Sequence, residues 1–339
     1  MNRNLSRTAG LLLATTVAVS LVACSSDDSD GAADTSAASG TASDGAASST
    51  ASSTESATAE NASYPLTVST KYGDITLDSR PERVVALDYS AADDLVALGI
   101  TPVGVATDPA KVDAEMPWLA SDIKDAADAD IAPMYEANVE TVANLDPDLI
   151  VGGTYNAQDQ DAYGKLSAVA PTLIPDMEGK GSWQDRLLAT AAAFGATDKA
   201  EELIAETEDA YKAAGKKVPG IEDKTVSYYQ FTGEKFNPGG PEVFELFGMQ
   251  PTAGMREKTA LSMENAQGAD ADLIVIWATG DDGPEILENT PAFANLPAVK
   301  KGNLMFTTPP IKYAFDRPGV LSLQWFLGEI TPTIEKLAD

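Results

Sequence analysis

Three continuous apolar runs decide what this chain can fold into: RVVALD at 83–88, DLIVG at 148–152 and DLIVIWA at 272–278. A strand with one wet face alternates apolar and polar residues. A run without alternation has both faces covered, as in a parallel sheet flanked by helices. Two of the runs share a signature, PDLIV at 147–151 and ADLIV at 271–275, so each half of the chain carries its own buried strand.

Helical segments fall between these runs. Ser90 can cap a helix after the first, with Asp93 three residues on and Gly99 as its stop. Thr101–Ala106 is a short strand. Asn138 caps ANVETVANL, and a helix around Asp159–Val169 leads to a strand at Pro171–Pro175. The middle is helical: Trp183–Phe194, then a run to about Lys217 opened by Asp198 and Glu201. Beyond it come a strand at Thr225–Phe231, a helix at Pro241–Phe247 and a strand at Asn303–Thr307. A closing helix follows from Pro318 to about Leu337, with proline in its first turn. The expected fold class is α/β: two lobes with mostly parallel sheets, bridged by one long helix.

The N-terminus is a different material. Arg3 and Arg7 precede an apolar run, Ala9–Ala23, about 15 residues long and short of the roughly 20 a spanning helix needs. It ends Leu21-Val22-Ala23-Cys24, which resembles the lipobox of bacterial lipoproteins; Cys24 is the only cysteine. Residues 1–23 read as a cleaved leader and Cys24 as the lipidation site. Of the 40 residues 24–63, 31 are Ala, Ser, Thr or Gly and seven are acidic. That composition predicts a disordered tether. Residues 64–339 are the folded region.

Composition excludes several chemistries. The 339 residues contain no histidine, so imidazole-based catalysis, His-based zinc sites and His-ligated haem are absent. A single cysteine allows no internal disulfide or Cys cluster. With 23 basic and 52 acidic residues the formal charge is −29, which argues against nucleic acid as a partner.

Several stretches together resemble the substrate-binding lipoproteins of iron-siderophore ABC importers, the helical-backbone class that also includes vitamin B12 binders. They are RPERVVALDYSAADDLVALGI (80–100), NVETVANLDPDLIVGG (138–153), LSAVAPT (166–172), LSMENAQGADADLIVI (261–276), PAFANLPAVKKGNLMF (291–306) and YAFDRPGVLSLQWF (313–326). The resemblance implies two three-layer lobes, an N-lobe at about 64–182, a helical spine at about 183–218 and a C-lobe at about 219–339. The family domain would run from about 82 to 339. It also implies a ferric siderophore held between the lobes and delivered to an ABC permease and its ATPase. The protein would be a monomer on the outer face of the cytoplasmic membrane, held there only by its lipid. Iron arrives already chelated, so neither a cofactor nor a protein metal ligand is expected.

The cleft-facing positions implied are Tyr89, Met134, Tyr135 and Tyr155 in the first lobe. In the second they are Phe236, Asn237, Arg256, Phe315 and Arg317. An isolated loop aromatic is more often packing than contact, so the arginines carry more weight. Two Arg facing one cleft of an acidic protein suit an anionic ligand, catecholate or carboxylate rather than neutral hydroxamate. Glu140 and Glu264 occupy matching places in the two halves, where the family docks glutamates into arginine pockets of the permease. Their bland alternative is a pair of helix-start carboxylates favoured by the helix dipole. Arg186 is a weaker cleft candidate.

Other readings remain open on the residues alone. Tyr228-Tyr229 suggests a direct ferric-ion binder, although strand neighbours point to opposite faces and one should be core. Haem through tyrosine, or cobalamin, fits the same fold. An enzyme would be a Ser-x-x-Lys hydrolase on Ser121 and Lys124, but Lys258-Thr259 is followed by Ala260 rather than Gly. The lipobox reading predicts that Cys24→Ala abolishes membrane fractionation. A chain beginning at Ser63 should bind ligand as tightly as the full chain. Retention of Cys24→Ala in the membrane pellet would refute the assignment.

Overall fold

A computed structural model describes residues 63–176, 182–280 and 282–338. The proposed leader, Cys24 and the tether up to residue 62 lie outside the described residues. All described residues belong to one unit that begins at Ala57.

A hairpin of β1 (Leu66–Thr70) and β2 (Gly73–Leu77) opens the fold. Next comes a four-stranded parallel sheet in the order β4-β3-β5-β6. Its strands are β3 (Val84–Ala86), β4 (Gly104–Val105), β5 (Leu149–Val151) and β6 (Thr172–Leu173). Every residue of β3 and β5 is buried, as their unalternating sequences require. The second sheet contains β7 (Thr225–Phe231), β8 (Lys235–Pro238), β9 (Gln250–Pro251), β10 (Leu261–Ser262), β11 (Leu273–Ala278) and β12 (Leu304–Phe306). Parallel strands β7, β11 and β12 form its core, and antiparallel β8 and β10 close one edge. Tyr228 and Tyr229 are both fully buried, not one of two, because helices cover both faces of β7.

Helix α1 (Tyr89–Ala97) departs from expectation at its start. Asp88, extended at the strand end, is the cap: its carboxylate accepts from Ala91 N at 2.8 Å and from the Ser90 hydroxyl at 2.6 Å. A carboxylate is the stronger acceptor and takes the position from Ser90. Gly99 stops the helix in a left-handed conformation. Helix α2 (Val139–Asn144) is capped by Asn138 as expected, and α3 (Gln160–Ser167) by Asp159.

The middle comprises two helices, α4 (Trp183–Ala192) and α5 (Thr197–Gly215), separated at Gly195 with φ 61°. The long helix starts at Thr197 behind Ala196, without the side-chain cap expected from Asp198 and Glu201, both of which face solvent. At 19 residues it spans roughly 28 Å. Buried Tyr211 ties it to the last helix through a 2.8 Å hydrogen bond to Leu323 O. Gly215 permits close approach to the second lobe, since a Cβ there would lie 2.0 Å from Phe247 O.

Short α6 (Ala253–Arg256) and α7 (Pro309–Asp316) precede the last helix, α8 (Val320–Glu335). Pro318 lies before its cap, Gly319, rather than in the first turn. The cap is completed from far away. Asp93 of α1, 1% exposed, accepts from Leu321 N at 3.0 Å and Ser322 N at 2.9 Å. Its neighbour Asp94, 0% exposed, takes the Arg186 guanidinium through Nε at 2.6 Å and Nη2 at 3.0 Å. Burial holds both carboxyls above the usual carboxylate range, opposed at Asp93 first by the Leu321 and Ser322 amides and at Asp94 by Arg186. The two halves of this pair respond differently to loss of the partner. An unpaired Asp94 can take up a proton, whereas an unpaired Arg186 cannot shed one. Asp94→Ala should therefore cost about 3–5 kcal/mol in urea denaturation. Arg186→Met should cost distinctly less at pH 6. Equal losses would contradict the asymmetry.

Candidate binding cavity

A cavity of about 970 Å³ opens at the ends of the strands, the usual ligand position in open parallel sheets. Its first wall is Ser90 after β3 and Gly152–Tyr155 after β5. Trp183 and Arg186 of α4 line the second. Further lining comes from around 240–246, 251–258 and 315–318, where Arg256, Lys258 and Arg317 share the wall with Glu242, Glu245 and Asp316.

Tyr155 is seated by its neighbours. A Cβ on Gly153 would meet its ring at 2.6 Å, so only glycine leaves it room. Buried Asn156 binds three loops at once. Its Oδ1 accepts from Gly153 N at 2.8 Å, while Nδ2 donates to Leu87 O at 3.1 Å and Tyr135 O at 3.0 Å. Burial and the nearby Asp88 carboxylate push the Tyr155 hydroxyl far above its ordinary range, so it remains a neutral donor. Arg317 lies 4.1 Å from the Tyr155 ring centroid and 5.1 Å from that of Tyr135. The two rings meet edge to face at 5.6 Å. A guanidinium over two π faces is favourable by about 0.5–2 kcal/mol each.

The expected positions separate into groups. Tyr135, Tyr155, Arg256 and Arg317 stand at or on the cavity. Tyr89 is half-buried nearby, edge-on to Tyr313 at 5.4 Å, and its hydroxyl is pushed up chiefly by burial. Arg256 lies on α6 rather than a loop and donates to Pro251 O. Met134 is 93% exposed and does not line the cavity. It and Tyr135 adopt left-handed backbones, φ 55° and 74°, a strain of about 1–3 kcal/mol each. Phe315 touches the cavity but is 2% exposed, packed on Tyr228 and Phe326.

Phe236 is placed elsewhere. It is fully buried against Phe231 and Phe293. Strand alternation gives it to the core and leaves its neighbour Asn237, half-buried beside Gln230, on the opposite face. Neither lines the cavity. Glu140 and Glu264 are both exposed, each the second residue of a helical segment, after Asn138 and Ser262. Arg186 reaches the cavity wall with its charge already matched by Asp94.

Sequence reasoning did not mark Asn156, Trp183 or Lys258 as site residues. Asn156 follows a glycine pair at a strand end, which is a usable signal. Lys258, with φ 55°, has no distinguishing pattern. Ser121 and Lys124 do not form a catalytic pair: the serine hydroxyl binds Asp122, and the lysine pairs with Asp113 on the surface. Among the described residues no group of three or more acidic or cysteine side chains is placed to hold a metal ion. The aromatic core placement of Phe236 predicts that Phe236→Ala costs about 3–5 kcal/mol in chemical denaturation. At temperatures where the variant stays folded, ligand affinity should be unchanged. A selective affinity loss with normal stability would return Phe236 to the site.

Residues 84–311 match the family described as periplasmic binding protein. The probable siderophore-binding lipoprotein YfiY of Bacillus subtilis (strain 168) is 34% identical over 155 residues. That match spans about half of either chain, 46% of each. The Fe(3+)-citrate-binding protein YfmC of the same organism is 26% identical over 250 residues, 68% of this chain and 75% of YfmC. Among solved structures, Staphylococcus aureus SirA complexed with staphyloferrin B superposes with TM-score 0.65 at 21% identity, covering 79% of this chain and 97% of SirA. A periplasmic solute binding protein from Mycobacterium smegmatis gives 0.66 at 23% identity, covering 81% and 99%. These likenesses fix the fold as two α/β lobes of the periplasmic-binding type. With the match extending over two thirds of its length, the chain belongs to the periplasmic binding protein family.

Proposed function

We propose that the protein captures a ferric siderophore in the cavity and hands it to an ABC permease for iron uptake. The observation that carries this reading is the cavity wall itself: Arg256, Lys258 and Arg317 beside Tyr155 and Trp183. Cationic donors with aromatic surface suit an anionic chelate whose iron is already wrapped. The names of YfiY, YfmC and SirA's ligand point the same way. Family members are binding proteins rather than enzymes.

In this reading residues 1–23 are removed, Cys24 is lipidated, and residues up to 63 tether the binding domain to the outer face of the cytoplasmic membrane. No helix among the described residues is long and apolar enough to cross a membrane. Glu140 and Glu264 are the docking groups, supported by their exposure and equivalent helix-start positions.

Trp183 lines the cavity, so tryptophan quenching reports occupancy. Titration with ferric citrate, ferrichrome, haem and cobalamin should show tightest binding for an anionic ferric chelate. Loss of a charge-assisted hydrogen bond lowers affinity roughly 10- to 150-fold. Arg256→Ala and Arg317→Ala should each weaken that chelate by this order, and the loss should shrink at high salt. Binding of haem or cobalamin alone would sink the siderophore reading. Docking is tested separately. Glu140→Arg with Glu264→Arg should leave the dissociation constant within about twofold while cellular uptake of labelled iron collapses. Normal uptake at equal surface expression would assign docking to other residues.

A further inference from the structure

The Arg317 guanidinium is delivered into the cavity by a three-residue bend, Arg317-Pro318-Gly319, between α7 and α8. Neither helix holds that bend alone. On one side the Pro318 carbonyl accepts from Arg186 Nη2 at 2.7 Å. The same nitrogen donates to Asp94 Oδ1 at 3.0 Å, and Arg186 Nε donates to Asp94 Oδ2 at 2.6 Å. On the other side Gly319 N donates to Ser322 Oγ at 2.8 Å, and Asp93 accepts from the amides of Leu321 and Ser322. A Cβ at Gly319 would lie 2.3 Å from Asp93, so the backbone is pressed against that carboxylate.

We infer that Arg186, held by Asp94, is a positioning residue for Arg317 and thereby sets the charge preference of the cavity. This rests on the siderophore reading, in which Arg317 meets the ligand. The geometry requires an arginine. Two donors must reach Asp94 in parallel while one also reaches a carbonyl, which a planar fork does and a single ammonium does not. The Pro318 carbonyl is one peptide away from the Arg317 Cα, so release of the carbonyl frees the guanidinium from Tyr155 and Tyr135.

The test is a double-mutant cycle with Arg186→Lys and Arg317→Ala. Arg186→Lys keeps a cation beside Asp94 but loses the fork. It should weaken ferric citrate about tenfold and ferrichrome distinctly less, so the ratio of the two affinities falls. In the Arg317→Ala background the same change should have no further effect on ferric citrate. If the effects add, Arg186 acts through the fold alone and the inference is overturned. Should Arg186→Lys prove unstable, Asp94→Leu with Arg186→Met replaces the pair by apolar volume, a change that is often tolerated. The same loss of discrimination is expected from it.

A ligand-free readout separates this inference from the siderophore reading. Near-ultraviolet circular dichroism of tyrosine should change alike in Arg186→Lys and Arg317→Ala, with no added change in the double variant. That result with no effect of Arg317→Ala on any ferric chelate would leave the positioning intact and defeat the anionic-ligand reading. An unchanged tyrosine spectrum in Arg186→Lys alone would overturn the positioning.

Discussion

Two adjacent buried carboxylates on one helix hold the rest of the structure in register. Asp93 and Asp94 sit one turn into α1, directly behind the strand that opens the first sheet. Consecutive positions on a helix point about 100° apart, so the pair addresses two different elements. One satisfies the open amides of α8, and the other holds Arg186 of α4. Each would be costly to bury alone, because an unpaired ion loses its hydration without compensation. Together they make α1, α4 and α8 mutually dependent. The cavity rim is part of that arrangement, since the bend carrying Arg317 is pinned between the two carboxylates.

This coupling explains which parts of the molecule were legible in sequence. The buried strands were, because burial on both faces leaves no polar residue to disguise the run; RVVALD, DLIVG and DLIVIWA all became central strands. Asn138 and Gly99 were legible because capping and left-handed stops are local chemistry. The start of α1 was misplaced for the opposite reason. Asp93 looked like the capping-box partner of Ser90, but a helix 228 residues away claims it. No local rule reveals that. The break between the two middle helices was legible at Gly195; what was not legible is that the second starts behind Ala196 with no side-chain cap from Asp198 or Glu201.

Site legibility followed the same division. Tyr155 and Arg317 were named because the family resemblance implied them, and they do meet, ring to guanidinium. Phe236 and Asn237 were expected to face the cleft, but neither lines the cavity. A four-residue strand forms there, and period-two alternation turns the aromatic inward. Tyr228 and Tyr229 failed differently. Alternation predicted one buried ring, but β7 lies mid-sheet with helices on each side, so both faces are interior. Alternation tells which face a residue takes. Burial of that face depends on what the distant chain lays over it.

The distribution of arginine and lysine completes the physical argument. Several lysines form surface pairs such as Lys165–Asp161 and Lys217–Glu335, each worth about 0–1 kcal/mol. The arginines instead reach carbonyls, a carboxylate and ring faces within the fold. Arg83 grips two carbonyls, Leu145 O at 2.6 Å and Asp146 O at 2.9 Å. Arg186 joins a carboxylate to a carbonyl, Arg256 holds Pro251 O, and Arg317 lies over two aromatic rings. Arg83 and Arg186 exploit the planar fork, and Arg317 its flat face. In a chain with formal charge −29, Arg256, Lys258 and Arg317 stand on a cavity lining that also carries Glu242, Glu245 and Asp316, so the cations are local donors within an acidic surround. The surround repels free anions at long range, and salt screens that repulsion beyond about 8–10 Å. Recognition of an anion in the cavity therefore depends on short-range contacts, and so on where Arg256 and Arg317 are held.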